Sequence, residues 1–303
     1  MKIDIKELEN IIVKNIPSSK EFKRVFHGRG NFYTDFEYLT VDFIDGVLFA
    51  SFYKPSQDEE LIYKLFKNLF NSHICSCVIV QKRYQKGEKT NILYGTIPKE
   101  IYAYEYGLKY RLDLLSNQNI GFFADMKNGR RYIQKISKDK NILNLFSYTC
   151  SFSVAALDAN AKQVVNVDMS KGALSVGRLN HQLNNIGKTK VKFMPYNILK
   201  SWSRIRKDGP YDIIIIDPPS FQKGSFAATK DYEKIIKKLD QLSFDGTIVL
   251  AALNAPELNV KFLKDIFKEF APNFKYIRRL KNPNTFLSSD DQKDLKCLVF
   301  KKD

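Results

Sequence analysis

The sequence IIIIDPPSF at residues 213–221 places four consecutive isoleucines directly before a carboxylate, two prolines and an aromatic ring. An apolar run without polar alternation is typical of a strand that is buried on both faces of a sheet. Such strands occur in parallel sheets whose connecting helices cover both faces. The stretch therefore predicts a central strand of an α/β sheet that ends at Asp217.

Strand-like and helix-like segments alternate on both sides of this stretch. The other strand candidates are NILNLF (141–146), QVVNVD (163–168), KVKFMPY (190–196) and TIVLAAL (247–253), with NFKYIRRLKNP (273–283) and DLKCLVF (294–300) as a closing hairpin-like pair. Alternation of strands and helices implies right-handed crossovers and a parallel sheet. We therefore expect an α/β fold with a Rossmann-like, seven-stranded, mostly parallel, doubly wound sheet.

The N-terminal part has a different pattern. LTVDFIDGVLFASFY (39–53) is typical of a hairpin around Asp45-Gly46, and CSCVIVQKRY (75–84) and NILYGTIP (91–98) indicate further strands. DEELIYKLFKNLF (58–70) has the spacing of an amphipathic helix. The sequence thus predicts a smaller mixed α/β domain over residues 1–115 and a larger domain over residues 116–303.

The chain is strongly basic, with 49 Lys and Arg against 33 Asp and Glu and a net charge of +16. This balance favours a polyanionic partner such as RNA, although an AT-rich genome also enriches lysine. Three basic stretches could follow a phosphate backbone: QKRYQKGEK (81–89), RIRK (204–207) and YIRRLKNP (276–283). Taken singly, each is more simply explained as a solvated surface.

Other features of the composition limit the function classes. The N-terminal stretch MKIDIKELENIIVKN has acidic residues within its short apolar segment, so it predicts no secretory signal or membrane span and a cytoplasmic address. The four cysteines form no C-x-x-C pair and the three histidines form no H-x-x-x-H pair. We therefore expect reduced thiols and no metal site.

The residues at the strand ends indicate the chemistry, because ligands of open α/β sheets bind beyond the carboxyl ends of the strands. Asp168 lies 24 positions after Asn144, a spacing that suits a ribose ligand, although it could instead cap the helix that starts at Ser170. Asn197 follows the third strand, where it could pair with an adenine edge or serve as a turn residue. The absence of glycine between Asn144 and Phe152 argues against a nicotinamide-dependent dehydrogenase.

Asp217 and the residues after it predict a receptacle for a planar nitrogenous ring. Pro218 and Pro219 stiffen the turn and lack N–H groups, which leaves the carboxylate and nearby carbonyls to accept hydrogen bonds from an amino or imino group. Phe221 could offer a flat face on which a base stacks. The alternative is that Asp217 caps the loop and Phe221 lies in the core.

Three of these segments together resemble the class I S-adenosylmethionine-dependent methyltransferases, and among them the bacterial large-subunit ribosomal RNA methyltransferases. They are LNLFSYTCSFSVAAL (143–157), VVNVDMSKGAL (164–174) and IIIIDPPSFQKGSF (213–226), and the resemblance extends back through residues 105–131. It implies S-adenosylmethionine as cofactor, bound through Phe146, Ser147, Tyr148, Thr149, Cys150, Ser151, Asp168, Met169, Asn197 and Asp217. Asp125, with Arg130 or Arg131, would border the same site.

The resemblance also assigns roles within this set. The loop from Ser147 to Ser151 would surround the methionine part of the cofactor, Asp168 would bind the ribose and Met169 would pack on the adenine. Cys150 stands where a glycine is usual, so its β-carbon would narrow the pocket or require an unusual backbone angle. Asp217, Pro218, Pro219 and Phe221 would form the catalytic motif.

The cysteines bear on which atom is methylated. Methylation at cytosine C5 needs a thiolate, which C5-methylating relatives carry after the fifth strand, whereas this chain has Asn254 there. The sequence therefore predicts direct transfer to a base nitrogen, with ribosomal RNA as substrate. The alternatives are methylation of a protein or small amine, and a non-catalytic RNA-binding protein on a degenerate methyltransferase fold.

Overall fold

The computed structural model describes residues 1–87, 89–219 and 226–303, together with the backbone of Phe221 and Gln222. It divides into two compact units. Unit 1 comprises residues 1–124 and 283–290, and unit 2 comprises residues 125–282 and 291–303. The sequence predicts the join between residues 115 and 116, with possible RNA binding by the smaller domain and methyl transfer by the larger one, and these assignments stay predictions.

Unit 1 contains two helices, a five-stranded sheet and a separate two-stranded hairpin among the described residues. The elements are α1 (Ile5–Asn15), β1 (Lys23–His27), β2 (Leu39–Ile44), β3 (Val47–Phe52), α2 (Glu59–Asn71), β4 (Cys77–Lys82), β5 (Thr90–Gly95), β6 (Tyr102–Glu105) and β7 (Leu108–Arg111). The sheet order is β1-β2-β3-β4-β5, and only β3 and β4 pair in parallel. The predicted hairpin is confirmed: β2 and β3 pair from Leu39–Phe52 to Ile44–Val47, and Asp45 and Gly46 both have positive φ, as a two-residue turn requires.

Unit 2 is built around a seven-stranded sheet. Its elements are α3 (Lys127–Ile136), β8 (Asn141–Leu145), α4 (Ser151–Asp158), β9 (Gln163–Val167), α5 (Lys171–Leu183), β10 (Val191–Met194), α6 (Trp202–Arg206), β11 (Tyr211–Ile216), the short strands β12 (Phe221–Gln222) and β13 (Phe226–Ala227), α7 (Ala228–Ile236), β14 (Ser243–Leu253), α8 (Val260–Phe270), β15 (Phe274–Leu280) and β16 (Lys296–Lys302). The strand order is β10-β9-β8-β11-β14-β16-β15.

The direction of these strands confirms the predicted fold class. β10, β9, β8, β11 and β14 are parallel, and β16 runs antiparallel between β14 and β15. The four isoleucines of β11 are at most 1% exposed and lie in the middle of the sheet. Alternate isoleucines belong to different hydrophobic clusters, with Ile214 and Ile216 in one and Ile213 and Ile215 in the other. Because both faces of β11 are covered, its sequence shows no polar alternation.

The parallel strands bring several polar segments to one edge of unit 2. Residues 146–150 follow β8, Asp168 follows β9, Asn197 lies beyond β10, Asp217 follows β11 and Asn254 follows β14. Since β8 lies between β9 and β11, the ends of β9 and β11 are separated by two strand spacings, about 10 Å. The fold therefore assembles the predicted strand-end residues along the carboxyl edge of a single sheet.

Within the described ranges, no helix has both the length and the apolar character needed to cross a membrane. The same residues contain no group of three or more His, Cys, Asp or Glu side chains that could hold a metal ion.

Candidate functional site

The loop after β8 has an unusual backbone for a segment without glycine. Phe146, Tyr148 and Cys150 have φ values of 57°, 46° and 64°, so every second residue is in the left-handed region. Such a conformation costs about 1 kcal/mol or more for each non-glycine residue and persists only where neighbouring groups hold it. The loop is therefore shaped by its contacts, and not by local preference.

Hydrogen bonds from neighbouring elements fix this loop. The N–H of Ser147 donates to the carbonyl of Val167 at 3.2 Å, and the N–H of Cys150 donates to the carbonyl of Ser147 at 2.7 Å. The side-chain amide of Asn180, on α5, donates to the carbonyl of Thr149 at 2.9 Å. Phe146 packs its ring edge-on against Phe226 at 5.0 Å, so its side chain lies in the core while its backbone turns the chain. Asn180 could not be identified as a support of the loop from sequence, because that contact joins residues 31 positions apart.

Cys150 adopts the unusual backbone angle that was one of the two alternatives for a β-carbon at this position. Its thiol is fully buried and points to α5, where Gly177 has no side chain. A β-carbon at Gly177 would lie 2.6 Å from the sulfur of Cys150 and 3.2 Å from its β-carbon. The side chain of Cys150 is therefore accommodated by the missing side chain of Gly177.

Asp168 connects the loop to α5. One carboxylate oxygen accepts the N–H of Tyr148 at 2.8 Å, and the other accepts the N–H of Ser170 at 2.8 Å. The helix α5 is capped by Ser170, whose hydroxyl accepts the N–H of Ala173 at 3.1 Å, so Asp168 holds the turn before the helix and is not its cap. Each oxygen can accept a further hydrogen bond, so a ribose hydroxyl can still bind. Met169, next in the chain, is 48% exposed, so its apolar side chain could cover a bound ring.

Two local features fit a ligand that carries a carboxylate. Ser147 is 6% exposed, and its hydroxyl has no hydrogen-bond partner among the described residues. α4 starts at Ser151 immediately after the loop, and Cys150, its N-cap residue, makes no side-chain capping bond. The first N–H groups of this helix can therefore bind an anionic group at the edge of the sheet. The loop, the helix start and Asp168 are together suited to the methionine carboxylate and ribose of S-adenosylmethionine.

Asn197 lies at the start of a short 3₁₀ turn beyond β10. Its backbone is extended and its side chain makes no capping hydrogen bond within that turn. The carbonyl of Asn197, and not its side chain, accepts the N–H of Lys200 at 3.1 Å. The turn therefore leaves the amide of Asn197 able to pair with an adenine edge.

Asp217, at the carboxyl edge of the sheet, has a strongly raised pKa. Burial and the negative charge of Asp125 raise its pKa, the positive charge of Arg130 partly offsets them, and the resulting pKa is about 7. The residue as a whole is half-buried. Arg130 is 1% exposed, whereas Arg131 is exposed, which identifies Arg130 as the arginine that faces this site. The structure therefore brings Asp125, Arg130 and Asp217 into one electrostatic group.

The residues after Asp217 are only partly described. Pro218 is buried and Pro219 is exposed. The backbone of Phe221 pairs with Ala227 in the hairpin of β12 and β13. The side chain of Phe221 lies outside the described residues, so its predicted stacking role stays a prediction.

Tyr232 and Lys296 are supporting residues that the sequence did not reveal. The hydroxyl of Tyr232, on α7, donates to the carbonyl of Ala252 at 2.8 Å and is fully buried. The ammonium group of Lys296, on β16, donates to the carbonyls of Ala255 and Gln292 at 2.9 Å each. Both side chains hold the backbone near the carboxyl end of β14 through these hydrogen bonds. Their sequence pattern is only a weak indication of this role, because a tyrosine or lysine within an apolar segment has many explanations.

The four cysteines are buried and poorly suited to form thiolates. Burial raises the pKa of Cys150 to about 12 and that of Cys75 to about 11, and it also raises the pKa values of Cys77 and Cys297. Asn254 occupies the position directly after β14, as the sequence predicted. No described thiol has the lowered pKa of a nucleophile.

Comparison with known proteins identifies the family. The sequence model of the S-adenosylmethionine-dependent methyltransferases matches residues 23–301. The chain is 32% identical over 199 residues to a ribosomal RNA large subunit methyltransferase I of Aeromonas salmonicida, covering 63% of this chain and 50% of that protein. It is 36% identical over 215 residues to the protein of the same name in Vibrio campbellii, covering 62% and 54%. The chain thus spans about half the length of the curated relatives it matches.

A solved structure has the same fold. A chain assigned as a methyltransferase and crystallised in complex with SAH superimposes with a TM-score of 0.87 at 23% identity, covering 99% of this chain and 82% of that one. The predicted resemblance and the predicted cofactor are both confirmed at the level of the family. Because the family's sequence model covers nearly the whole chain, the protein belongs to the S-adenosylmethionine-dependent methyltransferases.

Proposed function

We propose that the protein methylates a base nitrogen of ribosomal RNA by direct transfer. The observation that carries this proposal is the position of Asp217, a half-buried residue that follows the central strand and is followed by two prolines. S-adenosylmethionine supplies the methyl group, already activated on a sulfonium. The protein therefore needs to bind, align and desolvate the two partners more than to activate either of them.

The loop after β8 and Asp168 would hold the cofactor. Ser147 to Ser151, with the N–H groups at the start of α4, would bind the methionine end, and Asp168 would accept the ribose hydroxyls. Met169 and Asn197 would contact the adenine on its face and edge. Asp125 would border this site from the segment before α3.

Asp217 would orient the acceptor base. In its ionised form it can accept a hydrogen bond from an amino or imino group and so direct the nitrogen lone pair at the methyl group. As the nitrogen–carbon bond forms, the carbon–sulfur bond would break with its electron pair left on sulfur, and Asp217 or solvent would take the proton that the nitrogen loses. Pro218 and Pro219 would keep the adjoining backbone rigid, and Phe221 would stack on the base. A base within a duplex would have to be flipped out to reach this edge, at a cost of a few kcal/mol.

Nitrogen is favoured over cytosine C5 because a C5 acceptor requires a covalent thiolate adduct. All four cysteines have raised pKa values and are buried, and Asn254 follows β14 where the thiol would be needed. Asn254 could hydrogen-bond a base but could not attack it.

RNA is favoured as substrate by charge and by the relatives. The net charge of +16 suits a polyanion, and the matched relatives are named ribosomal RNA large subunit methyltransferases. This substrate would place the protein in the cytoplasm.

The proposal is tested by transfer of labelled methyl groups. Ribosomal RNA from a strain that lacks this protein is incubated with the purified protein and labelled S-adenosylmethionine, and the digested nucleosides are identified by mass spectrometry. We expect one labelled nucleoside methylated on a ring or exocyclic nitrogen. Label on protein instead of RNA, or on carbon C5 of cytosine, would contradict the proposal.

Replacing Asp168 with alanine is expected to weaken S-adenosylmethionine binding by about 10- to 100-fold. The variant loses the acceptor for the ribose and for the N–H groups of Tyr148 and Ser170, and a hydrogen bond to a charged group contributes about 1.5–3 kcal/mol. Calorimetric titration measures the dissociation constant. Unchanged affinity in a folded Asp168→Ala protein would show that the cofactor binds elsewhere.

A further inference from the structure

Unit 1 carries a cluster of arginines around one tyrosine, here called the Tyr53 cluster and defined as Arg29, Tyr53 and Arg83. The guanidinium carbon of Arg29 lies 4.1 Å from the centre of the Tyr53 ring, and that of Arg83 lies 5.1 Å from it. Arg83 also donates to the hydroxyl of Tyr53 at 3.3 Å. Two cations therefore share one aromatic ring.

The acidic side chain close to this cluster is already paired. Asp42 accepts hydrogen bonds from Arg24 at 2.5 and 3.1 Å and is 4% exposed. Among the described residues, Arg29 and Arg83 form no ion pair; Arg83 instead donates to the neutral amide oxygen of Asn119 at 3.4 Å. The charges of Arg29 and Arg83 thus lack a carboxylate within the described part of unit 1.

The ionisation of nearby groups reflects this excess of positive charge. Burial alone would raise the pKa of Tyr53, yet Arg83, Arg24 and Arg29 outweigh it and lower the pKa. Burial lowers the pKa of His27 to about 3, and Arg24 and Arg29 contribute to the same shift. The histidine is therefore neutral, and its Nδ1 accepts a hydrogen bond from Arg24 at 2.8 Å.

The backbone on either side of Arg29 packs tightly against other backbone segments of unit 1. Arg29 lies in a 3₁₀ turn between Gly28 and Gly30. A β-carbon at Gly28 would lie 1.8 Å from the carbonyl oxygen of Phe36, and one at Gly30 would lie 1.9 Å from that of Leu287. The carbonyl of Gly30 accepts the N–H of Ser289 at 2.8 Å. Both glycines are needed for this packing, so the turn presents the exposed Arg29 from a fixed position.

We propose that the Tyr53 cluster binds a phosphate group of the RNA backbone. Two guanidinium groups that share one ring and have no carboxylate partner concentrate positive charge and so attract an anion, and arginine forks match phosphate oxygens in charge and geometry. The hydroxyl of Tyr53 adds a polar atom at the same place. This inference rests on the proposed function and assigns part of the RNA-binding surface to unit 1, whereas the residues that would hold the cofactor belong to unit 2.

The test compares Arg29→Gln, Arg83→Gln and the double variant with Lys67→Gln as a matched control. Lys67 is an exposed lysine of α2, so its replacement removes the same charge from the same unit. Binding to large-subunit ribosomal RNA is measured at several salt concentrations, and cofactor binding and thermal unfolding are measured in parallel. Each arginine variant is expected to bind RNA about tenfold more weakly and to reduce the slope of log K against log salt by about 1.

The control and the parallel measurements separate this inference from the proposed function. Lys67→Gln should bind RNA like the wild type, and all variants should bind S-adenosylmethionine and unfold like the wild type. If the wild type methylates RNA but the double variant binds RNA equally well, the cluster is not an RNA contact and the proposed function stands. If the wild type labels no RNA, the proposed function fails and this inference fails with it.

A further arm uses inorganic phosphate alone, because free phosphate offers the same oxygens. If phosphate raises the unfolding temperature of the wild type but not of the double variant, while both bind RNA equally, the cluster is a site for small anions. That result would overturn the assignment to RNA. Loss of RNA binding in the double variant, with the salt slope reduced by about 2, would establish it.

Discussion

Replacing Asp217 with alanine is expected to lower kcat/KM for methyl transfer by about 10²- to 10⁴-fold, the range typical of a positioned acid–base group. The carboxylate follows the central strand β11, so no neighbouring side chain of that strand can take its place. The alanine variant could still bind the cofactor through the loop after β8 and Asp168. We therefore expect a large loss of rate with a smaller change in the dissociation constant of S-adenosylmethionine.

The pH dependence gives a second measurement of the same role. The pKa of Asp217 is raised to about 7, and the ionised form is the one that can accept a hydrogen bond from the acceptor base. For the wild type, kcat/KM should fall about tenfold for each pH unit below about 7 and level off above it. Asp217→Asn should be slow at every pH and should lack this inflection.

The folding stability of the wild type should fall as pH rises, whereas kcat/KM should rise. Because the folded state raises this pKa from 3.8, it binds the proton more tightly than the unfolded state, and the wild type loses stability as pH rises from about 4 to about 7. Asp217→Asn removes the buried charge, so it should unfold at a higher temperature than the wild type at pH 8. This difference should shrink as the pH approaches 4.

Asp212→Asn is the matched control for these measurements. Asp212 lies at the opposite end of the same strand, where it accepts hydrogen bonds from Lys140 and from the N–H of Asn141. Its replacement can lower stability but should leave kcat/KM within a few-fold of the wild type. Equal losses of kcat/KM in the two variants would mean that Asp217 acts only through the fold.

Replacing Gly177 with alanine is expected to weaken cofactor binding by about 10- to 100-fold. The new β-carbon would lie 2.6 Å from the sulfur and 3.2 Å from the β-carbon of Cys150, and rotation of the thiol would relieve only the first contact. Overpacking of this kind costs about 1–3 kcal/mol and would push the loop away from α5. Calorimetric titration with S-adenosylmethionine measures the effect without requiring the RNA substrate.

A second substitution should reverse this loss. In Cys150→Gly with Gly177→Ala, both contacting atoms of residue 150 are absent, and glycine adopts a φ of 64° at no steric cost. The double variant should therefore bind S-adenosylmethionine within a few-fold of the wild type. Failure of this rescue would mean that Gly177 is needed for a reason other than the thiol.

Gly172→Ala provides the control on the same helix. Among the described residues, a β-carbon at Gly172 would meet only the hydroxyl of Ser170, at 3.9 Å, so it should change neither cofactor affinity nor the packing of the loop. If Gly172→Ala weakened binding as much as Gly177→Ala, the effect would come from the helix as a whole and not from the contact with Cys150.

The sequence was sufficient to predict the sheet of unit 2 because the relevant signals are local. Strand burial on both faces produces a run such as IIIID, and parallel strands place the residues that follow them at one edge. For this reason Asp168, Asn197 and Asp217 could be selected from their positions after strands alone. The roles of these residues stay predictions, since their chemistry depends on a bound cofactor and substrate.

The sequence by itself determined the fold class, the family resemblance and the positions of the strand-end side chains, since each of these depends on neighbours along the chain. Only the tertiary structure decided which residues that lie far apart in the sequence fit together sterically or interact through their charges. The thiol of Cys150 requires the missing side chain of Gly177, Arg130 and not Arg131 faces Asp217, and Arg29 and Arg83 both lie against the ring of Tyr53. Steric fit and electrostatic interaction depend on distances in space, and residues far apart in sequence acquire those distances only when the chain folds.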